Sequence, residues 1–444
     1  MEVISKELFA WIDPLIIARR LIEVYGEQGL IWLDSDESDN GKWVVLAADP
    51  IESICTRRLP NNSLANNPFE LLRSINSGHW TGWLSYEAGA WVEPKNPWKT
   101  GTMATLWIAR HDPVIKFDLH KHELWLEGSN QKRFIELSNL LKDLHSRKNL
   151  INKSFNKIKP LQGISKKEWK WLTNQKEFES KIKILKGYIQ SGDIFQANLS
   201  TCCEAKKPRQ VLAIDLFEKL RQSCPAPFSG IMVGTGEAID EAVISSSPER
   251  FLKVFPNKEL ETRPIKGTRP RHRSLQKDSD LAMELVCSLK DRAENIMIVD
   301  LLRNDIGKVS QFGTIDVTQL VGLETYSQVH HLTSVIKGKL CSDKTWVDLL
   351  EACWPGGSIT GAPKIRACQR LYELEPIARG PYCGSFLHLN WNGQFDSNIL
   401  IRSLMVEKER IRVHAGCGIV ADSDPSQEAQ ELKWKLMPLL DALQ

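Results

Sequence analysis

Glu261-Thr262-Arg263-Pro264-Ile265-Lys266-Gly267-Thr268 holds one lysine in a constrained frame. Pro264 fixes its own φ and has no N–H to donate, and Gly267 opens backbone conformations closed to residues that carry a Cβ. The spacing reads as a tight turn that sets the angle of the Lys266 side chain. Arg263 and Arg269 flank it. Positive neighbours are expected to lower an ammonium's pKa from its usual ~10.4, toward a free amine able to act as a nucleophile near neutral pH. On spacing alone, the same residues also describe a solvated surface lysine.

The chain around this segment has 444 residues, enough for two domains or one large one with a sizeable core. Hydrophobic residues make up 42% and charged residues 25%, which is ordinary for a globular protein. A net charge of +3 gives no argument for nucleic acid or for a membrane surface. The 10 cysteines include no C-x-x-C pair, and Cys202 and Cys203 are adjacent, so reduced thiols fit better than a disulfide or zinc framework. No apolar run approaches the ~20 residues needed to span a bilayer. Glu2 and Glu7 replace the basic region of a signal peptide, and the expectation is a cytoplasmic enzyme.

Taken in order, residues 9–25 read as a helix entered at Asp13-Pro14 and stopped by Gly26. Residues 30–35 and 42–48 read as strands around a polar turn at 36–41, with further strands at 80–86, 104–109 and 124–126. From 131 to 185 there are fourteen Lys/Arg against five Asp/Glu, without a nucleic-acid motif. This run reads as a solvated linker plus exposed helix faces, and it divides the chain into 1–150, a basic connector 151–175, and 176–440. Phe178, Ile182, Leu185 and Ile189 recur at helical spacing, and residues 194–200 follow as a strand. Residues 290–305 form an amphipathic helix on the spacing of Ile296, Val299 and Leu302. Glu428 and Glu431, three apart after Asp424-Pro425, share a helix face. Two acids in a first turn are equally consistent with compensation of the helix dipole.

Ser247-Pro248-Glu249-Arg250-Phe251 followed by 262–268 resembles the active-site segment of chorismate-utilising enzymes, and the lysine form of the loop is similar to that of aminodeoxychorismate synthase component I. The resemblance extends in order over residues 176–440. It implies an α+β fold like that of anthranilate synthase component I, with a strand-rich two-sheet core, helices packed outside, and the active site in a central cleft. It implies that Lys266 attacks chorismate and that Glu249 is the general acid for the leaving hydroxyl, a role that requires a raised pKa. It makes Glu294 a ligand of Mg²⁺, with Glu428 and Glu431 as the candidates for further ligands. Substrate-binding positions by the same resemblance are Thr268, His331, Thr360, Gly361, Lys364, Tyr382, Arg402, Ala415, Gly416 and Gly418. His330 and His331 point to opposite faces of a strand, so only one can serve the site. The loop containing Thr360, Gly361 and Lys364 opens a helix and favours an anion, although it lacks Walker A spacing. Arg402 can clamp a carboxylate bidentately.

Departures from the family pattern narrow the reading. Relatives that add water to chorismate carry a lysine base where this chain has Gln196, which speaks against an isochorismate synthase. Cys224-Pro225-Ala226-Pro227-Phe228 replaces an Asn-Pro-Ser-Pro-type segment that lines, with a stretch near Leu33-Asp34-Ser35, the tryptophan pocket of relatives. This argues against feedback by tryptophan while leaving room for a non-exchanging bound tryptophan. Glu431-Leu432-Lys433-Trp434-Lys435 departs from the usual Glu-Thr-x-Asn-Lys. No Gly-x-Cys-x-Gly nucleophile elbow is present, so ammonia is expected from a separate glutamine amidotransferase subunit. The expected product is 4-amino-4-deoxychorismate, on the way to p-aminobenzoate and folate. The alternatives are anthranilate synthase component I, whose loop carries a small residue in place of Lys266, and a non-catalytic chorismate- or tryptophan-binding regulator.

Overall fold

Asp13 accepts the Leu15 amide at 2.8 Å and Pro14 stands at the first helical position, so the helix Pro14–Tyr25 starts where its capping chemistry places it. A computed structural model describes residues 4–36, 38, 43–62, 64–146, 163–326 and 329–444. Most of the expected turn at 36–41, the connector up to residue 162, and residues 327 and 328 lie outside the described residues. The helix Gln175–Gln190 buries Phe178, Ile182 and Leu185 and is capped by the Asn174 side chain. Ser288 caps the helix Leu289–Gly307, and Asp424 caps the C-terminal helix Pro425–Ala442.

Among the described residues the strands form two antiparallel sheets. The first runs Ser5–Phe9, Glu123–Gly128, Val114–Asp118, Trp43–Ala47, Ile31–Asp34, Phe228–Val233, Ala242–Ser247, Ser403–Val406, Arg410–Ile419, Gln196–Lys206, Gly361–Ala362, with Lys170–Trp171 also on Gln196–Lys206. The second runs Ile265–Pro270, Val329–Lys339, Glu259–Thr262, Arg250–Val254, Phe395–Asn398, Ser385–Leu389, Trp80–Leu84, Leu106–Arg110, Glu52–Thr56, with Asp316–Thr325 on Val329–Lys339. Strands from before residue 150 and after residue 176 pair in both sheets: Ile231 faces Trp32, and Leu387 faces Gly82.

The first sheet is the middle layer. Alternation along its strands sends Trp32, Ile231, Ile244 and Leu404 into a core shared with Ile17, Phe178, Phe217 and Leu436 of the covering helices. The neighbouring residues Ile31, Met232, Val243 and Met405 enter a second core, against Trp83, Trp107, Leu252 and Phe386 of the other sheet. Trp83 and Trp107 stack at 4.8 Å in that second core. The result is an α+β sandwich with helices outside, as expected. No helix of the described residues is long and apolar enough to cross a membrane.

Strand approach is closest at Gly82, where a Cβ would lie 2.0 Å from the Trp107 carbonyl oxygen and 2.5 Å from the Ile108 Cα. Both are backbone atoms of a paired strand and cannot move singly. Gly82→Ala is therefore expected to lower the unfolding free energy by about 1–3 kcal/mol, the usual cost of overpacking. Urea denaturation measures this, and an unchanged midpoint would contradict the packing.

Candidate active site

Lys266 lies on a strand, not in the turn its proline and glycine suggested. Ile265–Pro270 pairs with Val329–Lys339, placing Lys266 opposite Leu332 and Thr268 opposite His331. The register shifts between Lys266 and Thr268, and Gly267, at φ +81°, is the residue at the bulge. A Cβ there would also come within 2.8 Å of the Leu285 side chain. The flanking arginines do not offer bare charge. Arg263 is paired with Glu324, and Arg269 with Glu284 at 2.8 Å and Asp291 at 3.4 Å. The Lys266 ammonium instead donates to the Ser358 carbonyl at 2.9 Å, in the glycine-rich loop that precedes the helix Lys364–Leu374.

Glu249 follows the strand Ala242–Ser247, and its amide donates to the Ser247 hydroxyl at 3.2 Å. It is 5% exposed. Burial pushes its carboxyl up to about 7, against the opposing pull of the Lys266 charge and a hydrogen bond from Ser358. The one loop residue Ser358 thus touches both groups. A carboxyl at this value holds a proton it can give away near neutral pH.

Three further acids converge from two helices. Glu294 belongs to Leu289–Gly307, and Glu428 and Glu431 to Pro425–Ala442. Glu428 is buried and accepts from the Ser423 hydroxyl at 2.7 Å and the Lys290 ammonium at 3.1 Å. Glu431 pairs with Lys435 at 2.7 Å, and Lys435 also donates to the Gly416 carbonyl at 3.0 Å. Burial raises the Glu294 pKa against the charges of Lys266 and Lys290. At Glu431, burial also acts upward, but the charges of Lys435, Lys290 and Lys266 outweigh it and hold the carboxyl below its ordinary value. Ligand atoms of Cys417, Glu428 and Glu431 lie within 4.8 Å of one another. Burial lifts the Cys417 thiol to about 12, which leaves the carboxylates as the donors and suits a hard, oxygen-seeking cation.

Beside these acids runs the pairing of Gln196–Lys206 with Arg410–Ile419, in which Gly418 faces Asn198, Gly416 faces Ser200 and Ala415 faces Thr201. A Cβ on Gly418 would stand 2.7 Å from the Gln196 amide nitrogen and 3.5 Å from a Glu294 carboxylate oxygen, so bare backbone is what lets these groups meet. Gln196 is buried and its side-chain oxygen has no partner among the described residues.

A shallow open cleft is lined by His331, Arg402, Tyr326, Pro248 and the segment Pro225, Ala226, Pro227. His331 shares a 2.9 Å hydrogen bond with the Thr268 hydroxyl, and its Nε2 is buried without a partner among the described residues. Burial and the Arg402 charge push its pKa down to about 4, so the ring is neutral at pH 7. His330, on the opposite face, bonds Thr325 and Asp278. Arg402 holds a left-handed φ of +51°, unusual for a residue with a side chain. Burial lowers its pKa, and among the described residues its guanidinium has no carboxylate partner. It is positioned to take an anion from outside.

Other expected substrate positions are engaged within the protein. Lys364 is paired with Asp305 and donates to the Cys353 carbonyl at 3.0 Å. The Thr360 hydroxyl donates to the Gly356 carbonyl at 2.9 Å. Tyr382 is buried and stacks on His414 at 5.1 Å. A Cβ on Gly361 would lie 2.2 Å from the Gln196 carbonyl oxygen, so this glycine serves close strand approach. Sequence reasoning missed Ser358, Lys290, Lys435 and the pair Arg379–Glu375. Lys435 stands four residues from Glu431, a spacing that signals their ion pair on the helix, whereas Lys290 pairs with Glu428 of another helix, which no spacing announces. Leu432, where the family pattern has threonine, packs into the helix-side core, while Trp434 is exposed.

Known proteins resemble this chain in sequence and in fold. A family profile described as chorismate binding enzyme matches residues 23–441. The anthranilate synthase component I-like protein of Synechocystis sp. is 38% identical over 83% of this chain and 73% of its own length. Aminodeoxychorismate synthase component 1 of Escherichia coli is 42% identical over 62% of this chain, and the match spans 60% of that relative's length. The crystal structure of anthranilate synthase component I from Streptococcus pneumoniae superposes with a TM-score of 0.71 at 27% identity, covering 91% of this chain and 93% of that one.

The Glu249 carboxyl has a testable linkage to stability. Its folded pKa of about 7 stands above the ordinary 4.5, so across that window the native state keeps a proton that the unfolded chain has lost. Stability from this group is complete below pH 4.5 and falls as pH rises to about 7. Glu249→Gln stays neutral and removes this slope. Relative to that variant, wild type is expected to lose roughly 3 kcal/mol across the window, measured by urea denaturation at a series of pH values. Parallel pH profiles would show that Glu249 is ionised throughout.

Proposed function

The chain belongs to the family of chorismate-binding enzymes, and within it we propose that this protein aminates chorismate to 4-amino-4-deoxychorismate as an aminodeoxychorismate synthase component I. The observation that carries this reading is the placement of Lys266 and Glu249 on the same loop residue, Ser358. A nucleophilic amine and a proton-bearing carboxyl side by side are what a two-step displacement of a hydroxyl needs.

In this reading Arg402 binds a substrate carboxylate and the neutral His331 offers Nε2 to the ring substituents. Mg²⁺, held by Glu294, Glu428 and Glu431, would neutralise a carboxylate of the substrate. Lys266 first gives up its ammonium proton to solvent; the free amine then forms a bond to C2 of the ring, the double bonds shift, and the C4–O bond breaks. Glu249 gives its proton to the departing oxygen, which leaves as water. Ammonia then bonds to C4, the double bonds shift back, the C2–N bond to Lys266 breaks to release its free amine, and the ammonium formed at C4 returns a proton to Glu249. Ammonia comes from a separate glutamine amidotransferase subunit, and the product feeds p-aminobenzoate and folate synthesis. Gln196 cannot serve as the base that a water-adding relative needs. Formation of anthranilate is the second reading, favoured by the likeness to the Synechocystis protein. The presence of Lys266, where that class of loop carries a small residue, ranks it lower.

With chorismate and Mg²⁺ but no ammonia, a covalent adduct is expected to accumulate on Lys266, since the second displacement lacks its nucleophile. Intact mass spectrometry after acid quench, followed by digestion, should map the added mass to the peptide containing Lys266, and Lys266→Ala should carry none. An unmodified wild type together with a fully active alanine variant would turn the reading toward direct attack by ammonia.

The nitrogen source gives a second test. Ammonium is expected to support turnover by the isolated chain and glutamine alone is not, with the product identified by mass and absorbance. Release of glutamate from glutamine by the purified chain would contradict the need for a partner subunit, and anthranilate as the product would select the second reading.

A further inference from the structure

Two lysines sit among the three acids, and they are held differently. Lys435 has two acceptors, Glu431 on its own helix at 2.7 Å and the Gly416 carbonyl at 3.0 Å. Lys290 reaches across from the helix Leu289–Gly307 to Glu428 on Pro425–Ala442 at 3.1 Å. Its side chain is 47% exposed, while that of Glu428 is only 4% exposed. A carboxylate so far out of water is costly unless a positive charge lies against it. The neutral Ser423 hydroxyl satisfies one of its oxygens but supplies no charge.

We propose that Lys290 is the resident counter-ion of Glu428, and that its ammonium gives up that carboxylate when a divalent cation binds the three acids. The proposal rests on the metal reading above and concerns what fills the site before the metal arrives. A Lys290 side chain half in solvent can swing outward without leaving a buried ammonium behind. Lys435 is tied to a backbone carbonyl as well and stays. Lys290 thus keeps the acids from repelling one another in the metal-free protein while competing with the metal for Glu428.

Two measurements on the full chain move in opposite directions if this holds. Lys290→Met should bind Mg²⁺ roughly two- to five-fold more tightly than wild type by calorimetry, the range that loss of one partly exposed ion pair allows. The same variant should unfold at a lower temperature than wild type without Mg²⁺ and regain the difference when Mg²⁺ is added. Lys290→Arg, which keeps the charge, should resemble wild type in both. A merely structural lysine would lower stability and leave Mg²⁺ affinity equal or weaker in the methionine variant. That result, with wild type binding Mg²⁺ and Glu294→Gln weakening it, would overturn the competition and leave the metal reading standing. Absence of Mg²⁺ binding by both wild type and Lys290→Met would overturn the metal reading and the competition with it.

Discussion

The guanidinium of Arg379, 2% exposed, is the joint on which the site depends. It is paired with Glu375 at 2.6 Å and donates to the carbonyls of Ile359 at 2.8 Å and Asn198 at 2.7 Å. Glu375 in turn accepts from the Ser200 amide at 2.9 Å and its hydroxyl at 2.7 Å. One buried ion pair therefore ties the glycine-rich loop to the strand Gln196–Lys206. Such a pair adds little net stability over apolar packing, but removing either member strands the other charge. Its contribution is placement. The loop it anchors carries Ser358, against which Lys266 and Glu249 are held.

Topology supplies the rest of the placement. The strands Arg410–Ile419 and Gln196–Lys206 lie at one end of the first sheet, and Ile265–Pro270 and Val329–Lys339 at one end of the second. The helix Leu289–Gly307 packs on the latter two strands, with Asn295 donating to the Leu332 carbonyl at 3.1 Å. Glu294, one residue earlier on that helix, meets the bare backbone of Gly418 from the first sheet. Lysine and acids thus come from both sheets and from two helices, and their positions relative to one another rest on the packing of the sandwich.

Local chemistry was legible in the sequence. Asp13-Pro14 and Asp424-Pro425 announce helix starts because capping needs only neighbouring residues, and the shared face of Glu428 and Glu431 follows from helical spacing. The strands Ser5–Phe9 and Glu52–Thr56 escaped because each is short and finds its partner far along the chain, Ser5 opposite Gly128 and Glu52 opposite Arg110. Pro264 and Gly267 suggested a turn because those residue types serve turns and bulges alike, and only the pairing with Val329–Lys339 decides between them. The neutralised arginines were invisible for the same reason. Glu324 lies 61 residues from Arg263, and no spacing rule reaches that far.

The carboxyl groups of the site are sorted by surroundings. Glu249 is buried beside one lysine and one hydroxyl, and desolvation wins, so its carboxyl is pushed up to about 7. Glu431, half-buried and faced by Lys435, Lys290 and Lys266, is driven the other way and stays ionised. A carboxyl with a raised pKa and one with a lowered pKa are thus built from the same residue type by their surroundings. Lys266 belongs to both environments, since its charge opposes the burial of Glu249 and of Glu294 at once. Removing this positive charge would raise the proton affinity of Glu249 and Glu294 together. The protonation states of these two carboxyl groups are therefore coupled through a single side chain.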